Sequence, residues 1–469
     1  MLEPSTPSAL ARLSLGALLL VGALALPGCP ERRSTVQPAP RREQPSPRRV
    51  EPARPGGRAA VYKYQASTAC EDCHPNQTKE WKGSAHQQAH FEPIYDFYFM
   101  TASRQSGKKL ETFCAKCHTP LGVHAGEIPF GHPLKKPGDT KVSTVATEGV
   151  SCDFCHTISG VTKVQNSGYV MTPSVTKQGQ LRDAKPQDHK AQYSALFRSA
   201  ELCGSCHQVV HPTNGIVLED TYGEWKRSAY AKAGIVCQDC HMTAGLKPQT
   251  AATARDIGKP ERHPGTAAEE GRKRAHVSQH HFVGPNLFLA SGNPSRKRAA
   301  EALLRRAGRV TVDSLKRVGR TAVLKLKVSN TGAGHYLPTG VSELRELWLD
   351  VEVRNGRGRV IWRSGALGAD GNLGKDAVVY RTIVHDAKGK DTTLFWNTVK
   401  KVKDRRIPPL GSLTETFRIP LGRARKVTVK VSLHYRPVSP YGLAEAGVPK
   451  GRVQVPIFTI SSCTGKLTR

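Results

Sequence analysis

Two periodicities divide the chain. In the C-terminal third, apolar and polar positions alternate, as in Ala322-Val-Leu-Lys-Leu-Lys-Val328, Leu347-Trp-Leu-Asp-Val-Glu-Val353, Thr414-Glu-Thr-Phe-Arg-Ile419 and Val427-Thr-Val-Lys-Val-Ser-Leu433. A period of two puts every second side chain on one face, the pattern of half-buried strands. Asn355-Gly356 and Asp370-Gly371 supply turn signals between such runs. Roughly seven or eight strands of this kind predict an antiparallel β-sandwich over residues 311–469, of the immunoglobulin-like kind. Just before it, Ser295-Arg-Lys-Arg-Ala-Ala-Glu-Ala-Leu-Leu-Arg-Arg306 predicts a connecting helix within 291–310. Residues 61–290 carry no strong amphipathic period, so short helices joined by loops are expected there.

The N-terminus has a third pattern. Leu13 to Leu26 form an apolar run that ends in Leu26-Pro27-Gly28-Cys29. A run of this length falls short of the ~18 residues of a membrane span. It resembles a bacterial lipoprotein signal over residues 1–29, with Cys29 as the lipidated residue; the alternative is an ordinary cleaved signal peptide with an incidental cysteine. Both readings export the protein to the periplasmic side or the cell surface, and the first anchors it to a membrane. Residues 30–60 contain seven prolines and the pairs Arg41-Arg42 and Arg48-Arg49, and offer little to bury. They read as a disordered tether.

Composition sharpens this picture. Of 469 residues, 38% are apolar and 6% aromatic, a thin core for the length. Lys and Arg number 70 against 38 Asp and Glu, a net charge of +32, and residues 301–469 hold 32 of those bases against 13 acids. A positive strand domain would dock an acidic redox partner or an anionic surface, or be merely a soluble face. Nucleic acid is not an expected partner, because the protein is read as exported and the basic tether has no interleaved aromatics.

The cysteines decide the class. Ten of the twelve fall in five copies of C-x-x-C-H: Cys70, Cys73 and His74; Cys114, Cys117 and His118; Cys152, Cys155 and His156; Cys203, Cys206 and His207; Cys237, Cys240 and His241. Two cysteines three apart can add to the two vinyl groups of a porphyrin, with the adjacent histidine as an axial ligand to iron. A zinc site or redox dithiol does not require histidine at the fifth position in every copy. Five covalent haems c are therefore expected, and they would supply the missing core. A second protein ligand would leave each iron saturated and fit for electron transfer; an iron lacking one could bind substrate. Met100 and Met171 could ligate but read more simply as core filling, and Cys463 is an odd thiol.

One element recurs. Glu80-Trp81-Lys82-Gly83-Ser84-Ala85-His86 returns as Glu224-Trp225-Lys226-Arg227-Ser228-Ala229-Tyr230, with the terminal histidine replaced by tyrosine. This reads as a duplication that lost a ligand, its tryptophans packing on haem edges. Together with Glu148-Gly-Val-Ser-Cys-Asp-Phe-Cys-His156, Cys237-Gln-Asp-Cys-His-Met242 and His280-His-Phe-Val-Gly284, the first copy resembles the multihaem cytochromes c of the cytochrome c-554 type. These are related to pentahaem nitrite reductases and hydroxylamine oxidoreductases. The stretch Asn330-Thr-Gly-Ala-Gly-His-Tyr-Leu-Pro-Thr-Gly340 resembles a β-domain appended to such cytochromes.

The resemblance covers about residues 65–290 and implies closely stacked haems with two histidine ligands each, the distal ones supplied from elsewhere in the chain. It assigns a distal role to His86 and to His280. His124 and His211 follow their motifs by six and four residues, a spacing suited to ligating a neighbouring haem. The fifth distal ligand lies among His335, His276 and His132, with His335 preferred because Gly332 and Gly334 allow close backbone approach. The lysine of the nitrite reductase catalytic motif is absent. The expected function is electron transfer to or from a redox partner. The alternative is oxidation or reduction of a small nitrogen or sulfur compound at one open haem, expected at His156 or at His241 beside Tyr230.

Overall fold

Short helices carry the motifs because local caps start and stop them quickly. The computed structural model describes residues 64–128, 143–243, 257–258, 260–290 and 292–468; Cys29, the tether and His132 lie outside the described residues. Helix Glu111–His118 ends on the second motif's histidine. Ser151 caps helix Cys152–His156 by accepting from the Phe154 amide, so the third motif forms one helical turn. The first motif's Cys70 ends the turn Ser67–Cys70, and His74 precedes helix Pro75–Trp81. A longer helix, Pro93–Ser106, has Pro93 in its first turn, takes its N-terminal amides onto the Glu92 carboxylate, and stops at Gly107 with φ 57°.

Two motifs far apart in sequence are stitched together here. The Glu148 carboxylate accepts from the Ser67 amide and hydroxyl, both at 2.9 Å, and Asp153 accepts from the Gln65 amide at 2.9 Å. Gly149 is left-handed at φ 67°, and a Cβ there would come within 2.4 Å of the His86 carbonyl oxygen. A side chain at this position would push His86 out of place.

The connecting helix is Pro294–Ala307, started by Asn293 and Pro294. All four alternating runs are strands. In chain order the strands of this region are β1 Gly308–Val318, β2 Thr321–Asn330, β3 Glu346–Asn355, β4 Val360–Ser364, β5 Val379–Tyr380, β6 Thr382–His385, β7 Lys400–Asp404, β8 Ser412–Pro420, β9 Lys426–Arg436 and β10 Phe458–Thr468. They form an antiparallel three-stranded sheet β8-β2-β1, a second sheet β4-β3-β9-β10 with β5 on β3, and the ribbon β6-β7. Leu324, Leu326 and Val328 of the first sheet share one apolar cluster with Leu349, Val351, Val431 and Leu433 of the second.

Loops of the strand region fold back over the helices. Ile94, Tyr98 and Ala102 pack with Leu344, Leu394, Trp396 and Val438, and the Tyr98 and Thr101 hydroxyls donate to the carbonyls of Gly442 and Ala446 at 3.0 and 2.8 Å. The described motif and strand regions therefore belong to one compact unit. Replacing Leu433, fully buried in the shared cluster, with Ala is expected to cost about 2–5 kcal/mol. A thermal melt followed by circular dichroism checks this; an unchanged midpoint would count against that cluster as the core.

Candidate haem-binding site

Both cysteines and the histidine of all five motifs line one continuous cavity of about 1720 Å³. All ten of these cysteines are free thiols. Sulfurs of different motifs meet: Cys70 with Cys152, Cys117 with Cys206, and Cys203 with Cys237 are within hydrogen-bonding reach. The thiols of Cys155 and Cys203 also act on each other electrostatically. In space, then, the first motif lies beside the third, and the fourth adjoins the second, third and fifth.

Every motif histidine has its Nδ1 occupied. His74 meets the Ala267 carbonyl at 2.6 Å, His118 the Ala89 carbonyl at 3.1 Å, His156 the Gln178 carbonyl at 2.7 Å and His241 the Val283 carbonyl at 2.6 Å. A carbonyl only accepts, so Nδ1 carries the proton and Nε2 keeps a lone pair for a metal. His207 differs: its Nδ1 lies 3.4 Å from the Glu219 carboxylate. Burial alone would lower its pKa, but Glu219 outweighs this and pushes it up to about 9. Burial pushes His118 and His241 down to about 4, which favours the neutral, ligating form.

Four of the five motif histidines face a second imidazole. Ring centroids are 6.3 Å apart for His74 and His189, 6.3 Å for His207 and His86, 6.5 Å for His156 and His280, and 6.4 Å for His241 and His335. A metal–nitrogen bond of about 2.0–2.1 Å, with roughly 1.1 Å more to the ring centre, repeated on both sides, gives this spacing. The facing rings are held locally: Nδ1 of His189, His280 and His335 lies 2.9–3.1 Å from the carbonyls of Lys190, Ser278 and Tyr336. His86 Nδ1 is buried with no protein partner, and burial pushes His86 and His280 down to about 3. Free thiols in pairs, Nε2 lone pairs aimed inward and imidazoles at this separation fit haem c.

The structure brings His86, His280 and His335 to motif histidines, and does not bring His124 or His211. His124 Nδ1 is hydrogen-bonded to the Tyr64 hydroxyl at 2.7 Å. His211 is enclosed in a loop, with Nε2 donating to the Trp396 carbonyl at 2.8 Å and Nδ1 accepting from the Thr213 amide at 3.3 Å. Neither lines the cavity. Both are close to a motif in sequence, but both turn to protein partners. His276 accepts from the His263 amide at 3.1 Å. The histidine that sequence reasoning missed is His189, whose only signal is its position before strand Lys190–Tyr193, which pairs with the strand holding Gln178.

The exceptional motif is also not the one expected from sequence. His156 and His241 both face an imidazole, whereas no imidazole faces His118 among the described residues. Its ring instead stacks on Tyr95, 3.7 Å between centroids and 1° between planes. Met100 packs with the Tyr95–Phe99 cluster, and Met171 with Leu121 and Phe154. Tyr230 is buried with its hydroxyl unpartnered.

Residues 69–157 match the family described as cytochrome c554 and c-prime. The chain is similar to the crystal structure of a penta-heme cytochrome c552 from Thermochromatium tepidum, with TM-score 0.59 and 18% identity over 86% of this chain and 99% of that one. These findings support a multihaem c-type cytochrome. They likewise support covalently bound haem c and electron transfer. Weaker likenesses to a putative beta-galactosidase from Bacteroides fragilis (TM-score 0.17, 11% identity, 35% of this chain and 18% of that one) and to a beta-glucuronidase from Bifidobacterium dentium (0.15, 11%, 35% and 17%) carry no argument. No curated protein matches the sequence.

The ring pairs separate His189 from the two turned-away histidines. Replacing His189 with Ala should give a holoprotein with one new high-spin ferric signal in electron paramagnetic resonance. His124→Ala and His211→Ala should leave that spectrum as in the parent protein. The opposite pattern would reverse the assignment.

Proposed function

We propose that the protein is an exported pentahaem cytochrome that passes electrons through four bis-histidine haems, with His74–His189, His207–His86, His156–His280 and His241–His335 as the axial pairs. The observation that carries this reading is the spacing of those four ring pairs, 6.3–6.5 Å between centroids. Haem supplies one-electron redox chemistry; the chain's part is to hold the imidazoles and bring the sites close. The contacts between motif sulfurs support a connected array: first to third, third to fourth, and fourth to second and fifth. We read the two sheets as layers of a sandwich whose basic surface meets an acidic redox partner. Cys29 is read as a lipid anchor on the periplasmic side or the cell surface.

One observation favours a second activity at one site. His118 has no facing imidazole among the described residues, and Arg345 lines the same cavity near Tyr98 and acts electrostatically on Glu92 and Glu219. An open haem beside a guanidinium suits a small anion of nitrogen or sulfur. Carbon monoxide titrated into the reduced protein is expected to bind at about one equivalent per chain, since only an iron short of a ligand takes it up readily. No binding would mean that His118 has a protein partner across the iron and leave a pure carrier. Binding at several sites would overturn the four pairs. Changing Cys29 to Ser should move the protein from the membrane to the soluble exported fraction; a parent protein that is already soluble would remove the anchor.

A further inference from the structure

The two copies of the internal repeat share a geometry as well as a sequence. Glu80 and Trp81 close helix Pro75–Trp81, and Glu224 and Trp225 lie at the end of helix Thr221–Lys226. In each copy the serine three residues on donates its amide to the tryptophan carbonyl at 2.8 Å. Its hydroxyl then accepts an amide, from Gln87 at 3.2 Å or from Ala231 at 3.4 Å. The serine folds back in both copies, but through different turns: Lys82 (φ −53°, ψ 118°) and left-handed Gly83 (φ 75°) in the first, and Arg227 (φ −84°, ψ −6°) in the second.

The two side chains reach equivalent partners. Trp81 Nε1 donates to the Val150 carbonyl at 2.8 Å, and Val150 lies two residues before Cys152. Trp225 Nε1 donates to the Ile235 carbonyl at 2.8 Å, and Ile235 lies two residues before Cys237. Glu80 Oε2 accepts from the amide of His280 at 2.7 Å, the histidine that faces His156. Glu224 Oε2 accepts from the amide of Tyr336 at 3.0 Å and the Thr339 hydroxyl at 2.6 Å, beside His335, which faces His241. In both copies the indole holds the backbone that leads into a motif. The carboxylate next to it holds the amide of the histidine opposite that same motif in the first copy, and the amide of the residue after that histidine in the second.

We propose that each Glu-Trp pair is a clamp that sets the gap between the two axial histidines of one haem: Glu80-Trp81 for the His156–His280 pair and Glu224-Trp225 for the His241–His335 pair. These are positioning residues. None of their bonds goes to an axial imidazole, although Glu224 also meets the Thr339 hydroxyl and Arg406 and Glu80 lies 3.9 Å from Nε2 of His281. An amide-to-carboxylate bond is among the stronger hydrogen bonds, so two adjacent residues at a helix end fix both sides of the gap. The proposal rests on the axial pairs of the preceding subsection and adds the residues that space them.

Glu224 also pairs with buried Arg406, so its removal would leave that guanidinium with Asp404 alone. Glu80 is the cleaner probe. In the full haem-loaded chain, Glu80→Ala is expected to raise carbon monoxide uptake by about one equivalent over the parent, with unchanged haem content by pyridine haemochrome. Added imidazole should suppress the extra uptake. Glu80→Gln keeps an acceptor for the His280 amide and should restore the parental value. His280→Ala serves as reference: if it too adds no uptake, the axial pair is wrong. If His280→Ala gains a site and fully loaded Glu80→Ala does not, the clamp is wrong. Should Glu80→Ala fail to assemble, Glu80→Asp withdraws the carboxylate by one methylene and should show an additional carbon monoxide phase; parental kinetics in that variant would overturn the clamp.

Discussion

A protonated Nδ1 bound to a fixed oxygen is the constraint on which the motif region depends. It orients each ring so that Nε2 points into the cavity, and most of these oxygens come from distant chain. Ala267 reaches back to His74, and Val283 to His241. The segment 260–290 must therefore return over the first and last motifs, although it has few regular elements of its own. Gln178 and Glu219 do the same for His156 and His207 from short strand pairs. Where apolar periodicity is weak, the demand that each ring be held at one nitrogen specifies the path of the backbone.

The strand region takes part in this architecture through its loops. The loop after β2 carries His335, and Asn330 holds it by donating to the His335 carbonyl at 2.8 Å. Glu224, Arg406 and Asp404 then lock this loop to the motif region. Burying such charges is costly unless every hydrogen-bonding site is met. Glu224 meets Arg406, the Tyr336 amide and the Thr339 hydroxyl, and Arg406 has Asp404 as a second partner. An interface paired this fully fixes one docking geometry, which a greasy contact alone would not. The most basic part of the chain is thereby tied to the fifth motif.

Much of this was legible in the sequence because chemistry or periodicity wrote it there. C-x-x-C-H needs no tertiary context, and alternation marked the long strands because one face of each is buried. The loop histidines were harder. His335 could be read from the glycines before it; Gly334 lies where a Cβ would stand 3.3 Å from Tyr230. His189 lies among exposed polar residues, and the parallel pairing that carries it to His74 cannot be seen in one dimension. His124 and His211 look like ligands only while sequence distance stands in for spatial distance.

The repeat bears on which motif stands apart from the others. Replacement of His86 by Tyr230 in the second copy suggested that the His241 site had lost a ligand. Yet His86 does not face the motif that its own Glu-Trp pair grips. It faces His207, while Glu80 and Trp81 hold the segments around His156 and His280. The first copy thus builds parts of two neighbouring sites, and the second needs to build only one. Tyr230 packs against the loop that brings His335 to His241, so the substitution supports that loop. Neither copy supplies the carbonyl or the ring that His118 meets. The His118 ring is held from one side by Ala89 and covered on its face by Tyr95 of helix Pro93–Ser106. Among the described residues, the motif histidine without a facing imidazole is therefore the one held outside the duplication, by a helix that packs against the strand region.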